Sequence, residues 1–309
     1  MKELLFDFVR VTEEAAKAAY PLIGKLNKNE ADHLATNALR TNLNKLPINA
    51  KVVIGEGEKD QAPMLYIGEK LGTGTGPSID IAVDPIEGTT LVGNGMGNAI
   101  SVLAIAEEST LLHAPDMYMK KIAVGKEAVG HIDIEAPVSE NVKKVSQAIG
   151  KRISEMVIAI QARERHQDMI HEIISVGGKV KLFHEGDVPY VLSTALESSE
   201  IDLFVGVGGA PEGVISAVGL KCLGGEMQAK LIPSSDKEYE RCYSMGIFDP
   251  KTPLTMRELV ASDNCAFLAT GITDGILLKG VHMGSVIRTH SLAIVGNEKV
   301  PRYIKSEYV

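Results

Sequence analysis

The sequence predicts a layered α/β or α+β fold, because helical and strand patterns mix along its whole length. Two segments carry this expectation. Ala31, Leu34, Ala35, Ala38, Leu39, Leu43 and Leu46 recur with a helical period, and Asn29 stands where a cap would. Residues 79–84 alternate: Ile79, Ile81 and Val83 face one side of a strand, and Asp80, Ala82 and Asp84 the other. With 309 residues, 45% hydrophobic and 23% charged, the chain can form two domain-sized units or one large layered domain. That composition excludes an extended disordered chain, a collagen-like repeat and a bare coiled coil.

Residues 51–54 read as a strand running into Gly55-Glu56-Gly57-Glu58, and 98–105 as a further buried strand. A charged helix over 139–149 is expected to separate two halves, 1–150 and 151–309. The second half reads as a strand (156–160), a helix (166–176), a strand (180–183) and a helix with Pro189 near its start. A strand (201–207), a helix from Glu212 and a late strand (265–270) follow. Residues 230–241, rich in Ser, Asp and Glu, read as an exposed loop. Gly72-Thr73-Gly74-Thr75-Gly76 lacks the spacings of a nucleotide loop and reads as a flexible hairpin.

A net charge of −8, from 32 basic and 40 acidic residues, argues against nucleic acid as a partner. An anionic ligand would need a local attractor: metal ions, helix ends or a small Arg cluster. Cys222, Cys242 and Cys265 are odd in number and form no CxxC pair, so buried thiols are expected rather than a disulfide framework or a zinc knuckle. Charges at Lys2, Glu3 and Asp7 interrupt any signal-peptide core, and no apolar run approaches the ~18 residues of a membrane span. A cytoplasmic protein with no membrane partner is expected.

The chemistry concentrates in a few strings. In Asp84-Pro85-Ile86-Glu87-Gly88-Thr89-Thr90 a carboxylate ends a hydrophobic strand, where an unpaired charge is costly to bury. Proline forces a turn, a second carboxylate follows, glycine permits close approach, and the threonines can open a helix. Such a turn can present two carboxylates to a divalent cation and amide groups to a phosphate. The whole string favours a site over a plain turn. Glu56 and its neighbours place acids on a glycine loop past a strand; a solvated loop is the plainer reading. Asp32 and Glu212 sit near helix starts, where an acid also simply complements the dipole. Four acids in such places strengthen a metal site. Arg163-Glu164-Arg165-His166 follows a strand, and arginine suits bidentate phosphate binding, though a solvated helix start fits equally. Glu185-Gly186-Asp187 can face sugar hydroxyls or only cap a helix. His166 and His171 are five apart, a poor metal spacing, and read as surface or packing residues. Asp60, close to the Glu56 loop, is a candidate general base or orienter of a metal-bound water.

Together these strings resemble the class II, GlpX-type fructose-1,6-bisphosphatases. The matching text includes Lys28 to Asp32, Val53 to Glu58, Ala62 to Glu69, Asp80 to Thr89, Ala114 to Met119 and Gly208 to Gly213, with weaker matches at Ser262 to Asn264 and Ala269 to Thr273. The resemblance implies a layered α/β/α/β/α sandwich of the lithium-sensitive sugar and inositol phosphatase type. It implies hydrolysis of the 1-phosphate of fructose 1,6-bisphosphate in gluconeogenesis, with two or more Mn²⁺ or Mg²⁺ ions per site, by a homodimer or homotetramer. Carried over motif by motif, Asp32 and Glu56 would hold one metal, and Asp84, Glu87 and Glu212 a second. Glu87, Gly88 and Thr89 would meet the reacting phosphate, with Thr89 orienting water. Tyr118, Arg163, Glu164, Arg165, Glu185, Gly186, Asp187 and Gly209 would complete the substrate pocket. The first half then supplies metal and phosphate binding, the second the sugar.

The chain departs from the family's pattern at three positions. Glu164 stands where the family has proline, Glu185 where it has aspartate, and Thr90 where arginine is common. The cysteine-containing insertion of photosynthetic relatives is absent after the Gly72 region. Sedoheptulose 1,7-bisphosphate or an inositol monophosphate are alternative substrates, and a non-catalytic sugar-phosphate sensor is the alternative outside enzymes.

Overall fold

In this computed structural model, residues 2–57 and 64–309 are described. The helices α1 (Leu5–Ala19) and α2 (Lys28–Leu43) come first. Strands β1 (Asn49–Ile54), β2 (Lys70–Leu71) and β3 (Ser78–Glu87) follow, then α3 (Thr89–Asn94) and β4 (Ile100–Glu107). Next come β5 (Tyr118–Val124), α4 (Val138–Ala148), β6 (Val157–Gln161) and α5 (Gln167–Ser175). They lead to β7 (Lys179–Phe183), α6 (Asp187–Ser193), β8 (Leu203–Gly209), α7 (Ala210–Leu223) and β9 (Glu226–Leu231). The chain closes with α8 (Asp236–Ser244), α9 (Met256–Leu259), β10 (Cys265–Gly271), β11 (His282–Met283), β12 (Ile287–Val295) and β13 (Arg302–Tyr308).

The chain divides into two compact units, Met1–Leu111 with Ser262–Val309, and Leu112–Ala261. This differs from the expected division near residue 150. Strand pairing is the reason: β10 bonds to β4, and β12 and β13 continue from β10, so the C-terminal segment returns to the first sheet. Conversely β5, expected in the first half, lies between β8 and β9.

The first unit is an eight-stranded sheet in the order β11-β12-β10-β4-β3-β1-β2, with β13 also on β12. Ile79, Ile81 and Val83 are buried in one core with Phe8, Ala15, Leu39 and Leu43 of α1 and α2, as their alternation predicts. On the opposite face of β3, Asp80 is buried and accepts backbone N–H bonds from Thr110 (3.0 Å) and Leu111 (3.3 Å). It therefore serves structure.

In the second unit the sheet order is β7-β6-β8-β5-β9. Ile122 and Val124 pack with Val142, Val145 and Ile173 of α4 and α5. Met119 and Lys121 point to the other face, toward α7. The two units thus supply the sheet and helix layers of the expected α/β class. Two local expectations are corrected. Residues 230–241 are the end of β9 and most of α8, which Ser235 caps by accepting from the Glu238 N–H. The 72–76 turn is held rather than loose, with Thr73 and Gly74 N–H groups bonded to the Leu46 and Ile48 carbonyls. No helix among the described residues is long and apolar enough to cross a membrane.

One buried polar knot fastens α1 to the C-terminal strands. Glu13 is buried; its Oε1 accepts from the Thr289 hydroxyl and its Oε2 from the Tyr308 hydroxyl, both at 2.6 Å. Lys17 Nζ sits 3.5 Å above the Tyr308 ring. Tyr308→Phe should destabilise the fold by about 1.5–3 kcal/mol, the range for a hydrogen bond to a charged group. Denaturant unfolding checks this, and an unchanged midpoint would show that Glu13 finds another donor.

Candidate active site

In both units, chemical groups gather at the carboxyl ends of parallel strands, the usual place for ligands in such sheets. β1 and β3 run parallel, so Glu56, just beyond β1, and Asp84 and Glu87, ending β3, leave the sheet at one end. A bulge turns the last pair to a common face. Asp84 pairs with Val102 and Glu87 with Ile100, so three steps on β3 match two on β4. Without the extra residue, Ile86 would take the place of Glu87. Asp84 is half-buried and its Oδ1 accepts from the Ile86 N–H at 2.9 Å, closing the turn around Pro85. Glu87 is buried. Gly88 then adopts a φ of 92°, which favours glycine, and Thr89 opens α3.

Glu56 is held by its backbone. A Cβ on Gly55 would lie 2.0 Å from the Leu65 carbonyl oxygen, and the Glu56 N–H donates to that same carbonyl at 3.0 Å. Asp32 comes from α2. The cap of α2 is Asn27, whose side chain accepts from the Glu30 N–H at 3.3 Å, and not Asn29. The helix starts earlier than expected, so Asp32 lies beyond the first turn, where dipole complementation would explain it less well. The carboxyl groups of Asp32 and Glu56 hydrogen-bond to each other. Burial, and then the Asp32 charge, push Glu56 up to about 8. Burial also raises Asp32, against the lowering effect of the Glu56 bond and His33. Asp60 and Glu58 lie outside the described residues.

The second unit repeats the design. β6, β7 and β8 are parallel, and their carboxyl ends carry Arg163 to His166, Glu185 to Asp187, and Gly209 to Glu212. β5 is antiparallel to β8 and brings Tyr118 opposite Gly209. His166 is a buried packing residue: its Nδ1–H donates to the Gln161 carbonyl (2.8 Å) and its Nε2 accepts from the Val207 N–H (2.9 Å). Burial lowers its pKa, which keeps the ring neutral. The next side chain, Arg165, bonds the Val207 carbonyl through Nε (3.0 Å) and Nη2 (2.7 Å), and Gln161 Oε1 through Nη2 (2.9 Å). Its guanidinium lies 5.1 Å from the Tyr118 ring centroid. Arg163 donates to the His184 carbonyl at 3.3 Å and stands 4.0 Å from Glu185. Glu164 is exposed. The arginine string is thus more than a solvated helix start.

The sequence reading passed over Lys121. Its side chain is wholly buried, ion-paired with Asp187 and 3.0 Å from the Gly209 carbonyl. The available signal was its register, which puts a lysine on the same strand face as Met119 and Ala123. Glu212 Oε2 is buried and has no hydrogen-bond partner among the described residues. Burial raises the Glu212 pKa, Lys121 opposes the rise, and Asp187 and Asp116 add to it. A Cβ on Gly209 would fall 1.9 Å from that oxygen, so a side chain there would displace the Glu212 carboxyl.

Among the described residues no three His, Cys, Asp or Glu stand together as a complete ligand set. What stands are two carboxyls sharing a proton, two acids on a bulged strand end, and an orphaned carboxylate. Oxygen-only acidic donors suit a hard divalent cation such as Mg²⁺ or Mn²⁺ rather than zinc. The unpartnered, buried Glu212 Oε2 is a defect a cation would repair, so this residue fits such an ion.

The family model for bacterial fructose-1,6-bisphosphatase encoded by glpX matches residues 2–308. The chain belongs to this family. It is 44% identical over 319 residues to fructose-1,6-bisphosphatase 1 class 2 of Escherichia coli (strain K12), across 99% of this chain and 95% of that protein. It is 42% identical over 319 residues to the class 2 enzyme of Haemophilus influenzae, across 99% of this chain and 96% of the relative. Among solved structures, an extragenic suppressor from Pyrococcus furiosus aligns at a TM-score of 0.31 and 14% identity over 62% of this chain and 68% of its own, too slight a likeness to bear on the fold.

For this class 2 family member the Asp32–Glu56 pair makes a pH-dependent prediction. Below about 8 the metal-free pair holds at least one proton, and a cation bound by both carboxylates would displace it. Mn²⁺ binding should therefore release about one proton at roughly pH 6.5, and the release should fade as pH rises through the Glu56 value. Titration calorimetry in two buffers of different ionisation heat reads the proton count. Release independent of pH, or unchanged in Glu56→Gln, would remove the pair from the metal site.

Proposed function

We propose that this chain is a metal-dependent phosphoric monoester hydrolase that converts fructose 1,6-bisphosphate to fructose 6-phosphate and phosphate. The substrate is supported by the family and by the names of its relatives. The carrying observation for the chemistry is the proton-sharing Asp32–Glu56 pair at the same sheet end as the bulged Asp84–Glu87 turn. The step belongs to gluconeogenesis, in the cytoplasm. Two or more Mn²⁺ or Mg²⁺ ions per site and a homodimer or homotetramer complete the reading.

Bound divalent cations lower the pKa of water and neutralise phosphoryl oxygens. By the family resemblance Asp32, Glu56, Asp84, Glu87 and Glu212 would serve as metal carboxylates. Thr89 orients the attacking water through its hydroxyl, and the amides around Gly88 and Thr89 receive the phosphoryl oxygens. Asp60 accepts the water proton. Attack on phosphorus breaks the bond to the sugar oxygen, which leaves with a proton from solvent. Tyr118, Arg163 to Arg165, Glu185 to Asp187 and Gly209 hold the sugar and its second phosphate. The Arg165 guanidinium is held by the Val207 carbonyl and Gln161, while no described residue takes its Nη1. It offers a pre-set donor at little further entropic cost.

The direct test is phosphate release under saturating Mn²⁺ from fructose 1,6-bisphosphate, sedoheptulose 1,7-bisphosphate and an inositol monophosphate. Fructose 1,6-bisphosphate should be preferred; release from none of the three would leave only a sensor.

Arg165→Ala should lose roughly ten- to hundredfold in kcat/KM on the bisphosphate, from the about 1.5–3 kcal/mol of a charged hydrogen bond. On a small monophosphate ester the loss should be much smaller. Equal losses on both would make Arg165 a support for Val207 and Tyr118 instead. Thr89→Ala should lower kcat more than it raises KM, with Thr89→Ser milder. A change in KM alone would contradict a water-orienting Thr89.

A further inference from the structure

Two carboxyl groups of the second unit, those of Asp187 and Glu212, interact with one buried lysine. Lys121 is fixed on a central strand, β5, with its ammonium out of water. Its recorded partners are the Asp187 carboxylate and the Gly209 carbonyl at 3.0 Å. Those partners are the first residue of α6 and the cap of α7. Glycines keep the space around it open. A Cβ on Gly208 would lie 2.3 Å from Asp187 Oδ2 and 2.9 Å from Lys121 Nζ, and one on Gly213 would lie 2.5 Å from Met119 Sδ. Glu212, three residues into α7, feels the Lys121, Asp187 and Asp116 charges, and its Oε2 has no hydrogen-bond partner among the described residues. One ammonium cannot neutralise both Asp187 and Glu212. Its ion pair commits it to Asp187.

We propose that Lys121 is a positioning residue that partitions charge in the second unit: it holds Asp187 in the sugar-recognition turn and leaves Glu212 for a divalent cation. The inference rests on the function proposed above, with Asp187 a sugar contact and Glu212 a metal ligand. It makes the affinities for sugar phosphate and for cation depend on one buried side chain with opposite sign. Removing the ammonium frees Asp187 and takes a repelling charge from beside Glu212. Removing the charge of Asp187 instead leaves the ammonium without its anion, and Glu212 becomes its nearest substitute. The cation then competes with Lys121 for Glu212.

The test uses the full chain, with free Mn²⁺ read by electron paramagnetic resonance and fructose 6-phosphate binding read by calorimetry. Lys121→Met should weaken fructose 6-phosphate about ten- to hundredfold, the range of a lost charged hydrogen bond, while Mn²⁺ binds as tightly as before or tighter. Asp187→Asn should weaken Mn²⁺ binding several-fold although Asp187 is no metal ligand, and adding Lys121→Met to it should restore Mn²⁺ affinity. A merely structural lysine would move both affinities downward in Lys121→Met, and that result overturns the proposal. So does Mn²⁺ binding by Asp187→Asn equal to wild type, which stays readable even where Lys121→Met does not fold. Wild-type protein that binds neither probe overturns the parent function along with this inference. Wild-type protein that binds both, with no opposed response in the variants, overturns this inference alone.

Discussion

The gathering of carboxyl groups at the strand ends is the constraint on which the rest of the structure depends. Asp32 and Glu56 interact as a pair, and burial with the Asp32 charge pushes Glu56 up to about 8. Glu87 is buried at the end of β3, and Glu212 keeps one oxygen without a partner among the described residues. Folding alone gains little from such an arrangement, because each buried charge gives up hydration worth several kcal/mol in order of magnitude. A divalent cation bound there would turn the same cost into affinity. The chain's net charge of −8 is then compatible with an anionic substrate, since bound ions reverse the local sign.

Several local features follow from placing those acids. The β3 bulge turns Glu87 to the face of Asp84, and the close passage of Gly55 against Leu65 fixes the Glu56 backbone. In the second unit, backbone groups do similar work. The Val207 N–H orients His166 and its carbonyl orients Arg165, so one residue of β8 sets two neighbouring side chains after β6. Side chains anchored in this way lose little freedom when a ligand arrives.

The legible parts of the sequence were those whose signal is local. A strand that ends in an acid, a turn residue, a glycine and a helix opener can be read from consecutive residues; Gly209 to Glu212 and the helix opening at Thr89 lie as that reading expects, whereas β3 does not end at Asp84 but runs through Pro85 to Glu87 by way of the bulge. Pairing between distant strands was not legible. Nothing near residue 262 announces that β10 returns to β4, and so the division at 150 failed. The helix α1 was not read, although Leu5, Phe8, Val9, Thr12, Ala15, Ala16 and Ala19 recur on its buried face. Lys121 was overlooked because a lysine in a strand reads as solvated until its partners, Asp187 and Gly209, arrive from other elements. The strand-end acids stand out in the sequence as charges in unusual places; the ammonium that pairs with one acid of the second unit did not.

The central claim is that a divalent cation takes the place of the proton between Asp32 and Glu56. Diffraction from crystals grown with Mn²⁺, recorded at the manganese absorption edge, tests it most directly. The account predicts an anomalous peak against both carboxylates, with their mutual hydrogen bond gone. Manganese bound elsewhere, with Asp32 and Glu56 still bonded to each other, would contradict it.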